Sequence, residues 1–162
     1  MNQLSISTLH QKTLVDIQIH ENDGFKEKIT FITKEGDSFE LLHHQDCCES
    51  VYIEDIVGDI KDLLGTPLLM AEEASNQESN LKDPISDSFT WTFYKFATKK
   101  GYVDIRWLGT SNGYYSESVD FIQGKKYSLQ EVQQLITKNQ LKIKLPNQPH
   151  SEEFSRKVKK LL

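Results

Sequence analysis

Val51-Tyr52-Ile53-Glu54-Asp55-Ile56-Val57-Gly58-Asp59-Ile60-Lys61-Asp62-Leu63-Leu64 is the stretch that sorts this chain into a fold class. Ile53, Ile56, Val57, Ile60 and Leu64 stand at i, i+3, i+4, i+7 and i+11, a stripe along one side of a helix. Asp55, Asp59 and Asp62 occupy its other sides. Gly65, Thr66 and Pro67 close the run, because glycine serves as a C-cap and proline cannot continue the hydrogen-bond ladder. The spacing predicts a central helix.

Outward from it the period becomes two. On the amino-terminal side Val15, Ile17 and Ile19 alternate with Asp16, Gln18 and His20, and Lys28 to Thr33 and Ser38 to His43 are β-rich runs joined by Lys34-Glu35-Gly36-Asp37. These predict a three-stranded meander. On the carboxyl-terminal side Leu68 to Ala71 is a short apolar strand, and residues 75–88, rich in Ser, Asn, Asp and Glu, form a flexible loop. Phe89 to Thr98, Tyr102 to Leu108 and, after the Asn112-Gly113 turn, Tyr114 to Phe121 predict a second meander. Ser128 and Glu131 form a capping box before a helix over about Leu129 to Asn139. Leu141, Ile143 and Leu145 make an extended arm, and Phe154, Val158, Leu161 and Leu162 fall on one helical face near the end. The fold expected is α+β: a mostly antiparallel twisted sheet of two meanders, one central helix and C-terminal helices.

A chain of 162 residues with 37% hydrophobic content has enough apolar surface for one soluble domain without staples. Its net charge of -5 hides a split. Residues 1–124 hold 10 basic and 21 acidic groups (-11), and residues 125–162 hold 9 basic and 3 acidic (+6). The expected organisation is an α+β body over 1–124 and a basic helical extension over 125–162, packed on the body or on a partner, with a homo-oligomer through the C-terminal helix as one form of the latter. The acidic body argues against binding duplex nucleic acid. No apolar run reaches the ~18 residues of a membrane helix and no signal pattern opens the chain, so a cytoplasmic protein without a membrane partner is expected. Cys47 and Cys48, adjacent in sequence, are expected as thiols.

Chemistry concentrates in His43-His44-Gln45-Asp46-Cys47-Cys48-Glu49. His43, His44, Asp46, Cys47, Cys48 and Glu49 are a ligand set for a metal, zinc among them, although the spacing matches no usual zinc signature. They also read as a helix cap, with Asp46 as N-cap and Glu49 returning to its amide. Downstream, Trp91, Tyr94, Tyr114 and Tyr115 lie near Arg106 in sequence, aromatic faces beside a cation that suit a nucleobase and its phosphate. Asn112, Ser116, Glu117 and Ser118 add donors and acceptors at a loop tip.

The runs from Phe39 to Ile56, Gly65-Thr66-Pro67-Leu68, Trp91-Thr92-Phe93-Tyr94-Lys95 and Ser111-Asn112-Gly113-Tyr114-Tyr115-Ser116-Glu117-Ser118-Val119-Asp120-Phe121 together resemble a family of small proteins common in bacteriophage and bacterial genomes. Its members show an H-D-Q-D-C-C-E run and carry no established activity. The likeness covers roughly residues 13–122, and His44 stands where the family has aspartate. The resemblance implies a phage-type accessory protein, in the host cytoplasm if phage-encoded. The function expected is non-catalytic capture, against host defence, of a small nucleotide-like signal or of a host protein. The alternative is a metal-dependent hydrolase built on His43 to Glu49.

Overall fold

A computed structural model of the chain describes residues 2–79 and 88–145, with the side chains of 77–79 left aside. Eight strands form one sheet: β1 (Leu14–Asn22), β2 (Phe25–Thr33), β3 (Ser38–Leu42), β4 (Ser50–Val57), β5 (Met70–Ser79), β6 (Ser88–Thr98), β7 (Gly101–Ser111) and β8 (Asp120–Gln123). Their order is β5-β6-β7-β4-β2-β3-β8, with β1 paired to β2 off that path, and the pairings are antiparallel. The sheet curls into a half-barrel whose inner face is the core.

Alternation decides what fills it. On β7 the inward residues are Val103, Ile105 and Trp107, and on β6 they are Tyr94 and Phe96. Phe31 of β2 touches Phe96 and Phe121, and Phe121 stacks on Phe39 of β3, so aromatic rings link strands that are far apart in the sheet order. A helix, α1 (Leu129–Lys138), lies outside the half-barrel. Its capping box is formed, Glu131 N–H donating to Ser128 Oγ and the Ser128 amide to the Glu131 carboxylate. Val132 and Ile136 pack with Val15, Ile32 and Leu145 in a second, smaller core. Asn139, the residue that ends α1, latches it to β1 by donating from Nδ2 to the Val15 carbonyl (2.8 Å) and to buried Asp16 (3.0 Å).

The fold is thus α+β with a mostly antiparallel sheet, but the central helix is absent. Residues 50–57 are strand β4, followed by a 3-10 turn over Ile60–Leu63. The helical spacing has another cause. β4 breaks register between Ile53 and Asp55, so Ile53 pairs with Trp107 and Ile56 with Ile105, two residues apart on β7 but three apart on β4. A bulge adds one residue to a two-residue period and imitates i, i+3. Two other assignments change, one a loop and one a strand. Residues up to Ser79 and from Ser88 belong to β5 and β6, paired Ser79 to Ser88, where a flexible loop over 75–88 was expected. Tyr114 to Val119 do not return along β7; the next strand, β8, starts at Asp120 and pairs with β3. The C-terminal apolar face of Phe154, Val158, Leu161 and Leu162 lies outside the described residues.

Replacing Asn139 by Ala removes both latch bonds, which strands the Val15 carbonyl in a part-buried seam and leaves Asp16 with Gln18 Nε2 alone. We expect a loss of about 1–3 kcal/mol, measured by urea unfolding.

Candidate functional site

Glu49 is the residue around which the β3–β4 loop folds. It is 4% exposed, and its carboxylate accepts from the Asp46 amide (2.5 Å), the Cys47 amide (3.1 Å) and His43 Nε2 (2.8 Å). The reach back to Asp46 is the half of a capping box read in the sequence, but a strand follows it in place of a helix. These bonds, the Asp46 amide first and His43 second, hold the Glu49 carboxyl down at about 2 against the ordinary 4.5. His43 also donates from Nδ1 to the Ser118 carbonyl (2.7 Å). Gln45 adds bonds from Nε2 to the carbonyls of Glu49 (2.6 Å) and Cys47 (3.3 Å).

The chain bends at Cys47 and Cys48, and there the sulfurs are joined in a disulfide. This corrects the expectation of free thiols, because the turn imposed by Glu49 brings neighbouring side chains together. Both cysteines are exposed. Among the described residues no three His, Cys, Asp or Glu side chains converge to hold a metal ion. The six candidates divide instead: His43 with Glu49, Cys47 with Cys48, and His44 with Asp120 (Nδ1 to Oδ2, 2.7 Å), while the Asp46 side chain faces solvent.

A second buried acid organises the loop over residues 112–119. The Glu117 carboxyl accepts from the hydroxyls of Ser88, Thr90 (2.9 Å) and Ser111 (2.5 Å) at the facing ends of β6 and β7. Gly109 leaves room for it, since a Cβ there would stand 2.6 Å from the Glu117 carbonyl oxygen and 2.7 Å from its Cβ. Ser111 Oγ also accepts from Gly113 N, and Asn112 Oδ1 from Tyr114 N. Tyr114 is left 84% exposed with its ring edge-to-face on Tyr115 at 5.1 Å, and Ser116 and Ser118 share a hydroxyl contact at 2.8 Å. His43–Ser118 and His44–Asp120 dock this loop against the β3–β4 loop. The structure therefore joins two clusters that lie some seventy residues apart in the chain.

The remaining expected ligand residues lie elsewhere. Arg106 and Trp91 project from the outer face of the sheet, the guanidinium 5.2 Å from the ring centroid. Arg106 is already bound to Glu54 (2.5 and 2.7 Å) with Asp55 at 3.9 Å. Tyr94 points inward and is fully buried. Its hydroxyl and the Trp107 indole N–H have no hydrogen-bond partner among the described residues, and burial, then the Glu73 carboxylate, push that hydroxyl above its usual value. One feature escaped the sequence altogether. A groove of about 450 Å³ opens beside the β3–β4 loop, lined by Asp23, Phe25, Glu27, Gln45, Ser50 and Tyr52 among others. Phe25 and Tyr52 meet across it at 5.1 Å. The signal available was Asn22-Asp23-Gly24, a tight turn in which Asp23 (φ 51°) and Gly24 (φ 83°) are both left-handed.

Glu49 has its folded-state value below its unfolded one, so its contribution is complete above about 4.5 and vanishes as pH falls through about 2. NMR titration of the loop amides should show a midpoint near 2, and Glu49→Gln should abolish it. Gly109→Ala should cost about 1–3 kcal/mol by forcing the Glu117 backbone outward, with loss of the Ser88, Thr90 and Ser111 contacts visible in the amide spectrum.

No curated protein and no solved structure matches the chain. Residues 7–121 match the model of a domain of unknown function, DUF7448, and these are well over half of the chain. Both carboxylate-centred loops fall inside that span. The chain belongs to the DUF7448 family.

Proposed function

We propose that this protein is a non-catalytic binding module that recognises a protein surface through the loop over residues 111–118. The observation that carries this is the pairing of an exposed Tyr114–Tyr115 corner with a buried anchor, Glu117, that fixes the loop backbone on the sheet. Ser111-Asn112-Gly113-Tyr114-Tyr115-Ser116 has the composition of antibody recognition loops: rigid amphipathic rings for contact area, and small polar residues for adaptable hydrogen bonds. The groups that suggest catalysis are spent on the scaffold, since Glu49 and Glu117 accept structural donors and His43 is held at both nitrogens.

Of the two ligand classes expected from the sequence, the protein surface fits better than a nucleotide-like signal. Phosphate needs a free cation, and Arg106 is neutralised by Glu54 on another face of the sheet. The family resemblance to phage proteins makes a host defence protein the natural partner class, and the acidic body of the chain favours a basic patch on it.

Tyr114→Ala with Tyr115→Ala should leave the melting temperature within about 2 °C and lower affinity for a captured host protein by tenfold or more. Titration calorimetry with cyclic and adenosine-diphosphate-ribose nucleotides should give no heat. Heat with any of these nucleotides, or capture indifferent to both tyrosines, would sink the proposal.

A further inference from the structure

We propose that Cys47–Cys48 is a site of reversible thiol–disulfide exchange, opened by neutral or cationic thiols in preference to anionic ones. A disulfide stabilises a fold by closing a loop in the unfolded chain, and the gain grows with the length of that loop. This bond joins residues one apart in sequence. It ties no distant segments together, so what it contributes is chemistry at the surface.

Three features of the site suit exchange. Both cysteines are exposed, so a thiolate has access to either sulfur. The backbone on each side is held without the sulfurs: Glu49 accepts from the Asp46 and Cys47 amides, and Gln45 donates to the Cys47 and Glu49 carbonyls. The opened thiols therefore stay beside each other, and closure is intramolecular. The pair also sits between Asp46 and Glu49, with Asp23 and Glu27 on the neighbouring groove, in a body of net charge -11 over residues 1–124. Such a field repels an approaching anion and draws a cation.

The steps balance simply. A thiolate attacks one sulfur, the S–S bond breaks, and its electron pair leaves on the other sulfur as a thiolate. A second thiol then attacks the mixed disulfide and departs with the first as a symmetrical disulfide. The two thiols have been oxidised, Cys47 and Cys48 have been reduced, and the two protons released end on the cysteines.

The test uses the full chain, alkylation by iodoacetamide and mass spectrometry. As isolated in air, neither cysteine should be alkylated. After cysteamine both should be, with the melting temperature within about 2 °C of the oxidised form, and hydroxyethyl disulfide should restore protection. With each thiol's rate normalised to its reaction with hydroxyethyl disulfide, cysteamine should open the bond about tenfold faster than glutathione, the ratio falling toward unity in high salt. Given cystamine, the disulfide of cysteamine, Cys47→Ser should keep one cysteamine as a lasting mixed disulfide on Cys48 while the other leaves as thiol, whereas in the parent chain the Cys47 thiol displaces the second cysteamine and closes the bond. Cysteines alkylated equally before and after the oxidant, a bond that resists cysteamine until the chain unfolds, or a large drop in melting temperature on reduction would each overturn exchange. Equal normalised rates for the two thiols would overturn the preference.

Discussion

A carboxylate withdrawn from water must find donors within its own fold, and at Glu49 that requirement shapes everything nearby. Burying the charge unpaired would cost several kcal/mol, so the chain wraps amides and an imidazole around it. Once the Asp46 and Cys47 amides point at Glu49, the backbone must bend between them, the two sulfurs are brought together, and His43 is turned so that its far nitrogen faces Ser118. Glu117 repeats the device with hydroxyls in place of amides. Two polar loops acquire fixed shapes without any helix or strand of their own, and the shapes interlock because one anchor's partner, His43, also holds the other loop.

The sheet cooperates through its irregularities. In β2 the register passes from Lys28 opposite His20 to Lys26 opposite Glu21, so Glu27 is skipped, and in β4 it breaks between Ile53 and Asp55. Both breaks lie near the groove that Phe25 and Tyr52 span. A bulge re-aims side chains and sharpens twist, which is how strands that run as parts of one curled sheet open a concavity at their junction. The regular stretches of the same strands, Ile29 with Phe31 on β2 and Val51 with Ile53 on β4, meanwhile fill the core.

Where local rules and tertiary packing agree, the sequence is readable. The alternation of Leu14 to His20 became β1, and the capping box at Ser128 and Glu131 became α1, because each depends on neighbours a few residues away. The polar run from His43 to Glu49 was visible as a site, and so was the hydroxyl-rich run around Tyr114. Their contact was not, since a carbonyl at Ser118 meeting His43 leaves no mark in residue type. The β4 segment failed for a different reason. Ile53, Ile56 and Val57 show helical spacing only because one inserted residue shifts the phase of a strand, and that phase is set by β7 across the pairing. Likewise Ser75 to Ser79 carry loop composition yet become strand because β6 offers ten successive partners along β5.

Charge completes the account of what the surface can meet. Lys28 is paired with Glu40, Arg106 with Glu54, Lys125 with Glu131 and Lys126 with Asp37, so these cations are balanced in place. Glu49 and His43 meet inside the loop at 2.8 Å. What remains beside the groove and the disulfide is Asp23, Glu27 and Asp46, which stand in none of the ion pairs of the described residues. Among the described residues the basic groups of 125–145 lie with α1, which docks on β1 and β2 against Val15 and Ile32. Those three carboxylates, more than the net charge of -5, describe the field at the site. Association with a basic surface should be accelerated by that field and slowed by salt, whereas the contacts of Tyr114 and Tyr115, being apolar and short in range, set how long the complex lasts.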